Sequence, residues 1–175
     1  MKKLAMVLVA LCCALSASAQ GWFSDDGGAD TPRSQWGVDV GIGKMADVRG
    51  NVGFMGGLRY QYNVHRFLGW DVLGVNYVGQ TVKDEGLGPS VLQGMMGLRA
   101  KTPAVYEDIS AYLGLRMGYG YDFYLDDGGL AFELNVGVNV TPHASVGYVF
   151  NMQKVNQSAF SVKYKFHGLK LGYTF

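Results

Sequence analysis

Apolar residues alternate one by one with small or polar residues along most of the chain, which is the period of a β-strand with two unlike faces. From Trp36, one parity reads Trp36, Val38, Val40 and Ile42, and the other reads Gly37, Asp39, Gly41 and Gly43. A second segment sets Val52, Phe54, Leu58, Tyr60 and Tyr62 against Gly53, Met55, Gly57, Arg59, Gln61 and Asn63. The third sets Leu68, Trp70 and Val72 against Gly69, Asp71 and Leu73, then slips near Gly74 so that Val75 and Tyr77 flank Asn76, as a bulge would make it do.

Five more segments follow the same rule. Leu92, Met96, Leu98 and Ala100 oppose Gln93, Met95, Gly97, Arg99 and Lys101, and Leu113, Leu115, Met117, Tyr119 and Tyr121 oppose Tyr112, Gly114, Arg116, Gly118 and Gly120. Next, Leu130, Phe132, Leu134, Val136, Val138 and Val140 oppose Ala131, Glu133, Asn135, Gly137 and Asn139, and Val146, Tyr148, Phe150 and Met152 oppose Ser145, Gly147, Asn151 and Gln153. In the last segment Phe160, Val162, Tyr164 and Phe166 form the apolar parity. The alternation then changes phase at His167–Gly168 and runs out through Leu169, Leu171, Tyr173 and Phe175, so a glycine bulge is expected there. The total is about eight strands, close to the ~9–11 residues a tilted strand needs to cross a bilayer.

The non-apolar parity decides which face is inside. A soluble barrel or sandwich would carry Lys, Glu, Thr and Ser there to meet water. The parity is instead rich in glycine and holds isolated charges of both signs, Asp39, Arg59, Asp71, Arg99, Arg116 and Glu133. Small residues and balanced charges suit the packed polar interior of a small closed barrel, whose apolar parity then faces lipid. Adjacent strands supply opposite charges at one–two, two–three, three–four and five–six, so cross-strand pairing is expected to neutralise the interior. The aromatics sort by height, as interfacial girdles do. Trp36, Tyr60, Tyr62, Trp70, Tyr173 and Phe175 fall at one set of strand ends, and Phe54, Tyr77, Tyr119, Tyr121, Phe123, Phe132, Phe150 and Phe160 at the other. The expected fold class is therefore all-β, a closed antiparallel up-and-down transmembrane β-barrel occupying 35–175, with Leu171, Tyr173 and Phe175 anchoring the chain end beside the first strand.

The remaining features fit export. "MKKLAMVLVALCCALSASAQ" has a basic start, an apolar run from Leu4 to Leu15 and small residues at 17–19, which reads as a signal peptide over 1–19. Polar 20–34 reads as a flexible N-terminal segment. Cys12 and Cys13 both lie in the signal, and Leu11 ahead of them does not suit lipidation, so the exported chain has neither thiol chemistry nor disulfides. The whole chain has 15 basic and 14 acidic residues, a balance without a nucleic-acid footprint.

With its signal peptide, alternating strands and terminal "LKLGYTF", the chain resembles the small OmpA/OmpX-type outer-membrane barrels of Gram-negative bacteria. The resemblance implies both termini in the periplasm, a C-terminal aromatic strand recognised by the barrel-assembly machinery, and outer-membrane lipids and lipopolysaccharide as surroundings. Lys170 departs from the glycine often found near the end of such chains. "NVHR", "TPAVYED" and "TPH" become periplasmic turns, and "ADVRG", "GQTVKDEGLGPS", "DFYLDDGG" and "NMQKVNQS" extracellular loops too short for a dedicated adhesin. No peptidoglycan-binding module is expected after Phe175.

Chemistry finds little footing in this sequence. His143 and Ser145 in "PHAS" resemble the His-x-Ser of lipid A deacylases, but the acid of that set is met by Gln157 and the pair falls at a periplasmic turn. A turn histidine and a lumen serine are the better reading. His65, His143 and His167 are scattered without ligand spacing, and "SDDGG" and "DFYLDDGG" are turn-forming, so no metal or cofactor is expected. The function expected is a non-enzymatic, monomeric outer-membrane barrel with a closed, charge-paired lumen that contributes to envelope integrity or surface interaction. The alternatives are a narrow small-solute channel and, more distantly, a soluble exported lipid-binding barrel.

Overall fold

The structure is a computed structural model that describes residues 33–46, 52–65, 67–82, 86–104, 109–156 and 161–175. The expected signal peptide, both cysteines and most of the N-terminal segment lie outside the described residues, as does Phe160. Eight strands follow one another: β1 (Ser34–Ala46), β2 (Val52–His65), β3 (Leu68–Val82), β4 (Gly86–Lys101), β5 (Ser110–Asp122), β6 (Asp127–Asn139), β7 (Ala144–Asn156) and β8 (Ser161–Thr174). Each pairs antiparallel with the next, and β1 pairs with β8, so the sheet closes on itself and leaves no edge. One end carries Ser34 and Thr174 and is called here the terminal end. The other carries the β1–β2, β3–β4, β5–β6 and β7–β8 connections and is called the loop end.

Closure follows from the alternation, since every strand has one face that fits a packed interior and one that does not. Inside, glycines make room for the long polar side chains of the neighbouring strand. Gly37 pairs with Arg59, and a Cβ on Gly37 would sit 2.9 Å from the Arg59 guanidinium carbon. Gly74 leaves the same kind of room for Arg116, whose Nη1 would lie 3.0 Å from an added Cβ. This small-to-large matching is why the inward parity is so rich in glycine.

Two details of register differ from the sequence reading. In β3 the irregularity sits earlier than expected: Tyr60 pairs with Leu73 while Gln61 pairs with Asp71, so Val72 is the extra residue. Val72 is buried and Leu73 joins the outer parity, the reverse of the alternation expected for that pair. In β8 there is no bulge at His167–Gly168, because pairing with both β1 and β7 runs without a shift from Lys165 to Tyr173. Tyr164 and Phe166 therefore point into the barrel, and Lys163 and Lys165 point out. The apolar side chains expected to face lipid in this half of β8 fill the lumen instead. Phe166 is 1% exposed and its ring lies 3.0 Å from where a Cβ on Gly53 would stand, so glycine again makes the seat.

Candidate functional site

The interior has two storeys, and the lower one, toward the terminal end, is polar. Asp39, Arg59, Asp71, Arg99, Arg116 and Glu133 all lie on inward parities and are buried. Glu133 on β6 is the hub. Its Oε1 accepts from Arg116 Nε at 3.1 Å and closely from Arg116 Nη2, from Asn135 Nδ2 at 2.9 Å and from Lys170 Nζ at 3.3 Å. Its Oε2 accepts from Asn76 Nδ2 at 2.8 Å and Asn151 Nδ2 at 3.4 Å. One carboxylate thus collects donors from β3, β5, β6, β7 and β8.

Asp39 is the second acidic centre. Its Oδ1 lies 3.3 Å from Arg59 Nε, and its Oδ2 lies 3.0 Å from Lys170 Nζ and 3.7 Å from Arg116 Nη2. Arg59 also donates to Gln61 Oε1 at 3.0 Å and to Thr174 Oγ1 at 2.8 Å, which ties the last strand to the network. The charges expected to pair between neighbouring strands do so at β1–β2 and β5–β6; Lys170 reaches Asp39 from the adjoining β8, and Arg116–Asp39, Arg116–Asp71 and Lys170–Glu133 join strands that are not neighbours. Asp71 on β3 lies 4.0 Å from Arg116 on β5. Arg99 rests its guanidinium 4.5 Å above the Tyr112 ring, a cation–π contact.

Lys170 is the residue that sequence reasoning passed over. It stands on the inward parity of "GLKLGYTF", where the terminal signal makes it read as a departure, whereas it bridges Asp39 and Glu133 from β8. The signal that finds it is parity alone, because Leu169 and Leu171 on either side are exposed.

The upper storey is apolar. Met45, Met55, Val78, Val91, Val149, Val155, Tyr164 and Phe166 form one buried cluster across the lumen near the loop end. Between the storeys Gln93 donates to Asn151 Oδ1 at 3.0 Å and to Gln153 Oε1 at 2.9 Å, and Asn151 returns a bond to Gln93 Oε1 at 2.8 Å. At the loop end itself, Asp122 Oδ1 accepts from the backbone of Tyr124 and Leu125 at 2.7 and 3.0 Å and closes the β5–β6 turn.

The outer surface is the converse of a soluble protein's. Ile42, Leu58, Leu98, Met117, Leu130, Leu169 and Leu171 are each more than half exposed, and they belong to six different strands. Of the expected anchors, Trp36, Leu171, Tyr173 and Phe175 are exposed, and Tyr60, Tyr62 and Trp70 are half-buried against their neighbours. Trp36 and Tyr60 place their rings 5.0 Å apart, and Tyr173 and Phe175 theirs 5.4 Å apart. At the loop end Phe54 stacks with Tyr77 at 5.9 Å, and Tyr121 meets Phe123 edge-on at 5.5 Å. Phe132 and Phe150 fall near the middles of β6 and β7 rather than at the ends expected for them. The chain end is held by backbone bonds, since Phe175 N donates to Trp36 O at 2.9 Å and Thr174 N to His143 O at 2.8 Å.

The residues weighed for chemistry go separate ways. His143 is exposed, with Nδ1 2.8 Å from the Thr174 carbonyl and its ring beside Tyr173, while Ser145 is buried inside the barrel. Among the described residues no three His, Cys, Asp or Glu side chains are gathered as a metal would need.

No family model matches the chain, and no curated protein matches it. Solved structures similar to it include Ail, the attachment invasion locus protein of Yersinia pestis, at 15% identity over 81% of this chain and 97% of that one, TM-score 0.46. The N-terminal β-barrel domain of Pseudomonas aeruginosa OprF is similar at 10% identity over 82% and 98%, TM-score 0.49, and the outer membrane protein OprG of the same species at 17% over 81% and 94%, TM-score 0.42. The assignment of fold rests on the chain's own register: it is a closed, eight-stranded, up-and-down antiparallel barrel, the architecture of the small OmpA/OmpX-type proteins.

Proposed function

We propose that this chain is a non-enzymatic integral protein of a Gram-negative outer membrane, exported through a cleaved signal peptide, with its terminal end in the periplasm and its loop end outside. The observation that carries the reading is the belt of exposed Leu, Ile, Val and Met side chains around a closed barrel. Monomeric soluble proteins rarely expose contiguous apolar patches beyond a few hundred Å², whereas a membrane barrel needs such a band between two aromatic girdles. The same observation opposes the soluble lipid-binding barrel, because there the apolar residues would line the cavity.

Within the membrane, the barrel acts as a sealed strut of the envelope. Ion pairs fill its lower storey and an apolar cluster its upper one, so the buried carboxylates are offset by the chain's own cations and the Phe166 layer opposes ion passage. The lipids around it and the assembly machinery that inserts it are its partners, and it works as a monomer. Refolded mature protein tests both parts of the reading. It is expected to migrate differently on heated and unheated gels, to co-float with vesicles, and to give no steady conductance in planar bilayers. Recovery only in the soluble fraction would overturn the membrane assignment. Stable conductance with a selectivity altered by Arg59→Met would replace the sealed strut with a narrow channel.

A further inference from the structure

The lower storey does not balance its own charge. Below the apolar cluster the buried cations are Arg59, Arg99, Arg116 and Lys170, and the buried carboxylates are Asp39, Asp71 and Glu133. The other buried carboxylate among the described residues, Asp122, belongs to the β5–β6 turn at the loop end. One positive charge is left over, and burial makes an uncompensated charge costly. The pairings show which one it is. Arg59 lies 3.3 Å from Asp39, Lys170 lies 3.0 Å from the same carboxylate, and Arg116 closes on Glu133. Arg99 is only 2% exposed, has no carboxylate partner among the described residues, and finds no acceptor for Nε or Nη2.

Those two atoms form the side-on edge of the guanidinium, the edge that Arg116 presents to Glu133. Parallel N–H groups of this kind fit two oxygens of one oxyanion. What Arg99 does touch is an aromatic face, since its Cζ lies 4.5 Å from the centre of the Tyr112 ring. Tyr112 is the β5 partner of Lys101, the last residue of β4, which shares the inward parity of Arg99 and is half-buried. The Lys101 ammonium has no ion-pair partner among the described residues either. Two cations without acid partners thus border one ring at the terminal mouth of the lumen, Arg99 inside and Lys101 at the rim. Other inward residues at this end, Gln61, Asn63, Ser145 and Thr174, are uncharged.

We infer that the terminal mouth of the barrel is a binding site for a small divalent oxyanion of the phosphate class, held side-on by Arg99 and met at the rim by Lys101. The charges set the valence, because the one left over in the storey and the one on Lys101 together match two negative charges. Half-exposed Lys101 marks the side from which the anion arrives. On the proposed orientation that side is the periplasm, so the ligand is a dissolved solute and not a membrane lipid. The inference goes beyond the structural role of the barrel and gives its polar storey a ligand.

The test follows thermal unfolding of the refolded mature protein in detergent micelles, titrated with inorganic phosphate while sodium chloride keeps the ionic strength constant. The wild-type midpoint is expected to rise saturably, by about 4 °C once phosphate exceeds its Kd about tenfold. K163Q, which changes an outward lysine, should keep the whole shift. The double variant R99M/K101Q should lose at least half of it and, relieved of the uncompensated charge, melt no lower than wild type in chloride alone. K101Q by itself, at the rim, should fold normally and weaken the apparent Kd about tenfold. An equal, unsaturable rise in all four proteins would be the general effect of an excluded salt and would overturn the proposal. So would the absence of any wild-type shift. Glu107 and Asp108 of the β4–β5 connection lie outside the described residues. A phosphate shift that appears only in E107Q/D108N would assign the site to the chain's own carboxylates and overturn the proposal as well. None of these outcomes touches the membrane reading, which vesicle co-flotation tests separately.

Discussion

The two storeys of the lumen solve one packing problem with opposite chemistry. Below, the space is filled by Arg59, Arg116 and Lys170 with Asp39, Asp71 and Glu133, which hold one another together with Asn76, Asn135, Gln61 and Thr174, and by Arg99 over the Tyr112 ring. Above, it is filled by Phe166, Tyr164 and aliphatic side chains. The lower storey is specific, since each buried charge demands a partner at a set distance. The upper storey demands only volume, and volume can be supplied by many combinations of apolar residues. On the proposed reading of a sealed strut, rigidity and sealing are separable: the network fixes how the strands sit, and the apolar layer closes the bore.

Breaking the hub should have the largest effect. Glu133→Leu removes the acceptor of Arg116, Lys170, Asn76, Asn135 and Asn151 together. The expected loss is about 3–5 kcal/mol, the range for stranding a buried ion-pair partner. Equilibrium unfolding in urea, in detergent or bilayers, measures it. Adding Lys170→Met should return part of the loss, because that ammonium then no longer needs the missing carboxylate. A simple sum of the two single costs would show that Lys170 draws its support from Asp39 alone.

The upper storey should fail differently. Phe166→Ala is expected to cost roughly 3 kcal/mol through the cavity it leaves. Combined with Tyr164→Ala, it should open the apolar layer enough for brief conductance steps in planar bilayers, which Glu133→Leu should not produce. If neither variant conducts, the seal lies in the lower storey and the division of labour is wrong.

Much of this was legible in the sequence, and the part that was not has a physical cause. Period two and glycine on one parity foretold the strands, and buried charge types marked the lower storey, because no other place in a membrane barrel suits Arg116 or Glu133. The upper storey was hidden because apolar residues there look the same as those that face lipid. In β8, "FSVKYKF" alternates apolar with charged residues just as a lipid-facing strand would, so Tyr164 and Phe166 read as outward and a bulge was needed to reconcile them with Leu169 onward. Only the pairing of Lys165 with Met152 and Ala46, which have outward parity, settles the phase. Near the membrane surface a lysine facing out is as acceptable as one facing in, so charge loses its power to tell the faces apart. Lys170 was hidden for another reason: it sat inside a motif that drew a different explanation.

The smallest expected effect separates a network from a set of pairs. Arg59→Met removes one partner of Asp39, yet Lys170 remains 3.0 Å and Arg116 3.7 Å from the same carboxylate. The variant also brings the lower storey into balance, with Arg99, Arg116 and Lys170 facing Asp39, Asp71 and Glu133. The cost should therefore be about 1–2 kcal/mol, mostly from the donors lost to Gln61 and Thr174, well below that of Glu133→Leu. If Arg59 and Asp39 were an isolated pair, adding Asp39→Asn would restore stability. In the network it should not, because Lys170 and Arg116 then lose an acceptor and the storey carries an excess of positive charge. The double variant is expected to be less stable than Arg59→Met alone, as read from urea midpoints. A double variant more stable than the single one would mean that the ion pairs across the lumen contribute little and that neighbouring strands neutralise one another two by two.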